Sequence, residues 1–187
     1  MTDPLRTHIE KIVPLTDAEF EFVRSHFISK RYKKHQFLIQ DGEPVPYAFF
    51  IVSGLVKLGY ADAAGKQHII SFAMEDWWES DFQAFYTQTR ATLTLDCLED
   101  TEVLCLPFAN YQQLRTDLRK MEHFFLEKSN GGHIAAQRRI LSLLTTNAKE
   151  RYEQVVQQFP TLMQRVPKTL LAAYLGVSRE TLSRFTS

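Results

Sequence analysis

The 187-residue sequence has only two cysteines, Cys97 and Cys105, too few for a disulfide framework or a four-thiolate iron–sulfur cluster. Both are expected as buried thiols. No run of eighteen apolar residues is present, and the opening MTDPLRTHIEKIVPL has no apolar core preceded by positive charge. Neither a membrane span nor an export signal is supported, so a cytoplasmic location is expected. Net charge is missing too: 22 basic residues balance 22 acidic ones, which argues against a uniformly basic nucleic-acid binder. Glycine is scarce, with none between Gly65 and Gly131. The histidines, at 8, 26, 35, 68, 123 and 133, form no His-x-His and no helical pair, so a metal centre, a cofactor or a catalytic site of the cupin kind is not expected.

What is present is 44% apolar residues, enough to fill a core, and an uneven spread of charge. From His133 onward eight basic residues face three acidic ones, an excess of five that residues 1–132 cancel. A basic C-terminal third is suited to attract phosphate locally, while chance fluctuation between segments is the bland alternative.

Periodicity divides the chain. Leu15, Phe20, Val23 and Phe27 at helical spacing, with Asp17 and Glu19 in the opening turn, predict one short N-terminal helix. Six brief apolar runs follow, FLIQ, AFFIV, LVKLGY, HIISFAM, ATLTLDCL and TEVLCLP, broken by turn residues at intervals of roughly ten. They read as the strands of a β-sandwich or barrel, with Gly42, Gly54 and Gly65 at turns. Within the fifth run Leu93, Leu95 and Cys97 alternate with Thr92, Thr94 and Asp96, predicting an apolar face and a polar one. From Phe108 to about Tyr152 the residues favour helix, over a stretch long enough to imply a break or a dimer interface. Gly131-Gly132 cost about 2 kcal/mol of helix stability relative to alanine and predict a kink or hinge, with a packing contact as the rival. Ile140, Leu141, Leu143 and Leu144 are expected to pack one side of a second helix. The seam between two copies is expected over Met121–Ala136.

The last segment, RVPKTLLAAYLGVSRETLSRF, predicts a helix opened near Pro167, stopped by Gly176 in a left-handed conformation, and a second helix capped by Ser178. Leu182 and Phe185 form its apolar side. This is a helix-turn-helix pattern, in which the second helix enters the major groove by its N-terminal half. Arg179, Glu180, Ser183 and Arg184 then face base edges, where Arg donates two bonds to guanine and Glu accepts from cytosine. Lys168 and Thr169, at the start of the preceding helix, are placed to hold phosphates. The alternative is a solvated face on which these charges pair.

LGVSRETLSR resembles the recognition-helix segment of the Crp/Fnr family of bacterial transcription regulators. FLIQDGEPVPYAFFIVSGLVKLGYADAAGKQHIISFAMEDWW is similar to the cyclic-nucleotide-binding-type β-roll of that family, with Gly42, Gly54 and Gly65 at its turn glycines. ERYEQVVQQFPTLMQRVPKTLLAAYLGVSRETLSR resembles the Bacteroidetes-type members, in which a helical insert replaces the strands of the winged unit. The resemblance implies an α+β fold with an N-terminal double-stranded, jelly-roll-like β-roll as sensor (1–107), a long dimerisation helix (108–136) and a C-terminal all-α helix-turn-helix domain (137–187). It implies a homodimer that binds double-stranded DNA, with RNA polymerase as a further partner and Arg179, Glu180 and Arg184 as base readers. The sequence departs from the family by stopping so soon after this helix, which motivates the alternative of a sensor or interaction module that has lost DNA binding.

Family members that bind cyclic nucleotides hold the phosphate with a Gly-Glu-Leu segment and an arginine ten residues after the Glu. Here Arg90 matches that arginine, while Ser80 stands for the Glu and Glu79 for the Gly. Close approach of amides to phosphate favours glycine, and EDWWESDF supplies none, so cyclic AMP and cyclic GMP are not expected to bind. Two roles remain for Arg90: an ion pair with Asp81 or Glu79, or another, anionic effector held with Ser80, Thr89 or Thr92. Trp77 and Trp78 line such a pocket or plug the core.

Overall fold

The computed structural model describes residues 3–185. Helices α1 (Pro4–Glu10) and α2 (Asp17–Ser25) precede strands β1 (Ile28–Tyr32), β2 (Phe37–Ile39), β3 (Tyr47–Ser53), β4 (Leu55–Ala61), β5 (Gln67–Met74) and β6 (Trp78–Glu79). Helix α3 (Phe82–Thr87), β7 (Thr94–Cys97) and β8 (Thr101–Pro107) follow. The rest is helical: α4 (Phe108–Asp117), α5 (Arg119–Thr145), α6 (Ala148–Gln158), α7 (Pro160–Arg165), α8 (Lys168–Leu175) and α9 (Arg179–Phe185). The fold is α+β, and no helix among the described residues is long and apolar enough to cross a membrane.

Two four-stranded sheets, ordered β1-β8-β3-β6 and β2-β7-β4-β5, form an antiparallel sandwich. AFFIV is apolar without alternation because β3 is covered on both faces. Phe49 joins the core between the sheets, with Val56, Leu95, Cys97 and Cys105, while its neighbour Phe50 joins a second core under the helices, with Leu5, Ile9, Val23, Leu114 and Phe124. Cys97 and Cys105 are buried thiols, as expected. Burial pushes the Cys105 thiol up to about 11, which removes it from thiolate chemistry.

Several expectations need correction. There are two N-terminal helices, each with its own cap: Asp3 opens α1, and Thr16 with Glu19 forms a capping box on α2. Two strands join the six read from the sequence, β1 and the two-residue β6. On the polar face of the fifth run Thr92 is exposed and Thr94 half-buried, but Asp96 is buried, its charge paired with Lys57 Nζ of β4 at 2.6 Å. The helix break falls at Leu118, which is extended (φ −134°, ψ 98°), and α5 continues through Gly131-Gly132. A Cβ at either glycine would meet nothing within 4 Å, so no contact within the chain requires them. Helix propensity is a weak preference, and the hydrogen-bond ladder of a 27-residue helix outweighs it. Met121 is fully buried in the second core. Ile140, Leu141, Leu143 and Leu144 lie exposed on α5 itself, with Leu144 at 78% exposure.

The described residues form two compact units, one running through Leu58 with Phe72–Asn130, the other comprising Gly59–Ser71 and the residues from Gly131 onward. In the first, His8 is buried beneath Phe50, Trp78 and Phe124. Trp78 thus plugs the core, and Trp77 packs against the inter-sheet cluster.

Candidate nucleic-acid interface and effector pocket

The sequence K-T-L-L-A-A-Y-L supplies a helix, α8, whose Leu171, Ala172 and Leu175 turn inward and are buried. Gly176 ends it in the left-handed region (φ 73°, ψ 31°), where a side chain would be strained. The amide of Gly176 reaches the Ala173 carbonyl at 3.3 Å and that of Val177 the Ala172 carbonyl at 3.0 Å. Ser178 then caps α9: its Oγ accepts from the Thr181 amide at 3.2 Å. The turn between the helices is three residues, Gly176 to Ser178, as read from the sequence.

On α9, Leu182 is fully buried and the Phe185 ring lies 6.2 Å from that of Tyr152. With this side fixed, Ser178, Arg179, Glu180, Ser183 and Arg184 are exposed, and Lys168 and Thr169 are exposed at the opening of α8. The Glu180 carboxyl is held below its ordinary range by its own backbone amide, then by the Ser178 hydroxyl and the nearby Arg179 charge, so it is an ionised acceptor at neutral pH. Cations and an anion therefore alternate along the outer face. Between Tyr152 and Val166 the chain forms α6 and α7, and no strand follows β8 among the described residues.

Two residues counted in the basic excess have other work. Arg139 Nη2 donates to the carbonyls of Tyr174 (2.9 Å) and Ile69 (3.2 Å), and its guanidinium stacks 3.6 Å from the centre of the Tyr174 ring. Arg151 donates from Nε and Nη2 to the Leu175 carbonyl, at 3.3 and 3.1 Å, and from Nη1 to that of Thr146. Nothing in the sequence pattern signals bonds from arginine to backbone 24 and 35 residues away.

The effector residues are arranged differently from the expectation. Arg90 is exposed and donates to the Gly42 carbonyl at 2.7 Å rather than to either neighbouring carboxylate. Ser80 is buried with its hydroxyl on the Tyr47 carbonyl at 3.0 Å, and Thr89 pairs its hydroxyl with that of Thr87 at 2.9 Å. Asp81, 1% exposed, is the residue that gathers the loop. It accepts from the amides of Ala84 (3.1 Å), Thr92 (2.9 Å) and Leu93 (3.2 Å) and from the Thr92 hydroxyl (3.4 Å). Of the four candidate residues, Thr92 is thus turned onto an internal carboxylate, while Ser80, Thr89 and Arg90 are each engaged by another group of the protein. No group of metal-ligating side chains occurs among the described residues.

Residues 29–117 match the family model of the cyclic nucleotide-binding domain. No protein of curated function is significantly similar in sequence. Solved structures share the fold over nearly all of the chain. FixK2 from Bradyrhizobium japonicum matches with a TM-score of 0.76 at 17% identity, over 86% of this chain and 82% of its own. The c-di-GMP-responsive global regulator CLP from Xanthomonas campestris matches with a TM-score of 0.74 at 15% identity, over 91% and 89%. The Thermus thermophilus catabolite activator protein matches with a TM-score of 0.60 at 21% identity, over 98% and 85%.

Proposed function

We propose that the protein is a sequence-specific, DNA-binding transcription regulator of the Crp/Fnr type, acting as a homodimer. The β-roll (1–107) is its sensor, the helical segment 108–136 contributes to dimerisation, and 137–187 binds DNA. The carrying observation is the outer face of α9, where Arg179, Glu180, Ser183 and Arg184 stand exposed on a capped helix whose opposite side is anchored by Leu182. Regulators of gene expression among the structures of like fold support the same reading.

On this reading Arg179 and Glu180 read base edges, and Lys168 and Thr169 hold phosphate at the opening of α8. Fluorescence anisotropy against the promoter-proximal DNA of the gene, with scrambled DNA as control, is the test. Arg179→Ala should lose about 1–3 kcal/mol of binding to the preferred site and flatten its preference. Lys168→Ala should weaken binding to both DNAs alike and lower the salt slope by about one. Equal affinity of the wild type for both DNAs would sink the reading.

Cyclic AMP and cyclic GMP are not the effectors on this proposal, because Asp81 already occupies the loop amides and Arg90 is turned to a carbonyl. Calorimetric titration should show no micromolar binding of either nucleotide.

A further inference from the structure

A helix leaves its last four carbonyls without intrahelical partners, and buried or half-buried carbonyls need other donors. In α8 these belong to Ala172, Ala173, Tyr174 and Leu175. The first two are satisfied by the amides of Val177 and Gly176, the pair of bonds that a left-handed glycine stop provides. That motif has nothing left for Tyr174 and Leu175. Their oxygens receive the guanidinium groups of Arg139, from α5, and Arg151, from α6. Every terminal carbonyl of α8 is therefore accounted for.

Each guanidinium has further partners. Arg151 Nη1 donates to the Thr146 carbonyl, just before the Asn147 cap of α6. Arg139 donates to Ile69 and is stacked on the Tyr174 ring, and burial, the largest influence, pulls its guanidinium below the usual range. A positive group at a helix C-terminus is also favoured by the helix dipole. Both charges are thereby engaged by carbonyls of β5, of α8 and of Thr146, although the sequence counts them among the residues that would attract phosphate.

We propose that Arg139 and Arg151 are positioning residues. By clamping the Tyr174 and Leu175 carbonyls they fix the Gly176–Ser178 turn, and through it the direction in which α9 presents its outer face. The clamp belongs to the molecule whether or not it binds DNA, whereas its consequence for base reading rests on the function proposed above. Two readouts on the full-length protein separate them.

The first is hydrogen exchange of the protein without DNA. Arg139→Gln and Arg151→Gln should each speed exchange of the amides from Gly176 to Leu182 about tenfold, while amides of β3 and β8 are unchanged. Arg151→Lys, which keeps the charge but loses the fork of donors, should fall between. Should Arg139→Gln unfold the helical unit, Arg139→Lys gives the same comparison. Unaltered exchange in the turn would overturn the clamp.

The second is DNA binding at several salt concentrations. A positioning role predicts roughly a tenfold loss in the ratio of specific to non-specific affinity with an unchanged salt slope. A retained ratio with a slope lower by about one would instead mark both arginines as phosphate contacts and overturn the proposal. If the wild type shows no sequence preference, the DNA reading fails, and hydrogen exchange still decides the clamp.

Discussion

His8 sits among the rings of Phe50, Trp78 and Phe124 with 3% of its surface exposed, and its neighbours settle its protonation. The Trp78 indole N–H, which can only donate, points at Nε2 from 3.1 Å, so Nε2 is the bare nitrogen and Nδ1–H donates to Asp76 at 2.6 Å. Asp76 also takes Lys11, and the charge of Lys128 on α5 faces the same site. Burial first, then Lys128, pulls the His8 value below 6.5, against the opposing pull of Asp76. As pH falls, the unfolded chain takes up this proton before the folded one does. The stability linked to His8 is thus complete above about 6.5 and is lost as pH drops below it toward the folded value. Thermal unfolding followed from pH 7.5 to pH 5.5 should show a falling midpoint, with a visibly flatter fall in His8→Gln. Parallel curves for the two proteins would contradict this account.

Glycine at the two sharp stops of the backbone has unequal consequences. At Gly176 (φ 73°) an added Cβ meets nothing within 4 Å, so alanine there brings backbone strain alone, about 1–2 kcal/mol. At Gly54 (φ 104°), between β3 and β4, the same atom would lie 2.5 Å from Thr101 Oγ1 and 2.6 Å from the Asp100 carbonyl oxygen. Chemical denaturation should therefore find Gly54→Ala clearly more destabilising than Gly176→Ala. Both glycines were legible in the sequence because turn chemistry is local, and so were α2, six strands and the α8–turn–α9 segment, each carried by its own periodicity and caps. What escaped notice is set by distant partners. Strand β1, ISKRY, has no apolar alternation, since it is a sheet edge held by its register with β8, Ile28 opposite Cys105 and Tyr32 opposite Thr101. Asp96 reads only as part of a polar face, and its pairing with Lys57 of β4 is not visible in the sequence. The offset of the helix break from Gly131 to Leu118 follows from α4 and α5 both packing into the second core, which composition does not reveal. The same holds for Arg139 and Arg151, whose carbonyl partners no residue pattern encodes, and for the bonds of Asp81 to Thr92 and Leu93, whereas its cap on α3 is local.

At the scale of the whole molecule, five exposed apolar side chains gather on the second half of α5. Ile134, Leu141 and Leu144 recur at seven and three residues, with Ile140 and Leu143 beside them, all at least 45% exposed. An apolar stripe of this kind on a long helix favours a second copy packed along it. On the proposed function, one short reading helix contacts too few bases to define a site, so a two-fold dimer also meets the demand of specificity. Light scattering at micromolar concentration should give twice the 21.7 kDa chain mass. Leu144→Glu should shift it to the monomer, with a dissociation constant raised by at least about tenfold, and a monomeric wild type would refute the seam. The arginine clamp bears on how such a molecule changes over time. Carbonyl oxygens are common to every amino acid, so Arg139 and Arg151 hold α8 without regard to the side chains displayed on α9. Side chains displayed on α9 can therefore change without disturbing these bonds, and on the proposed function a few changes at 179, 180, 183 and 184 would alter the DNA sequence preferred while leaving the clamp intact.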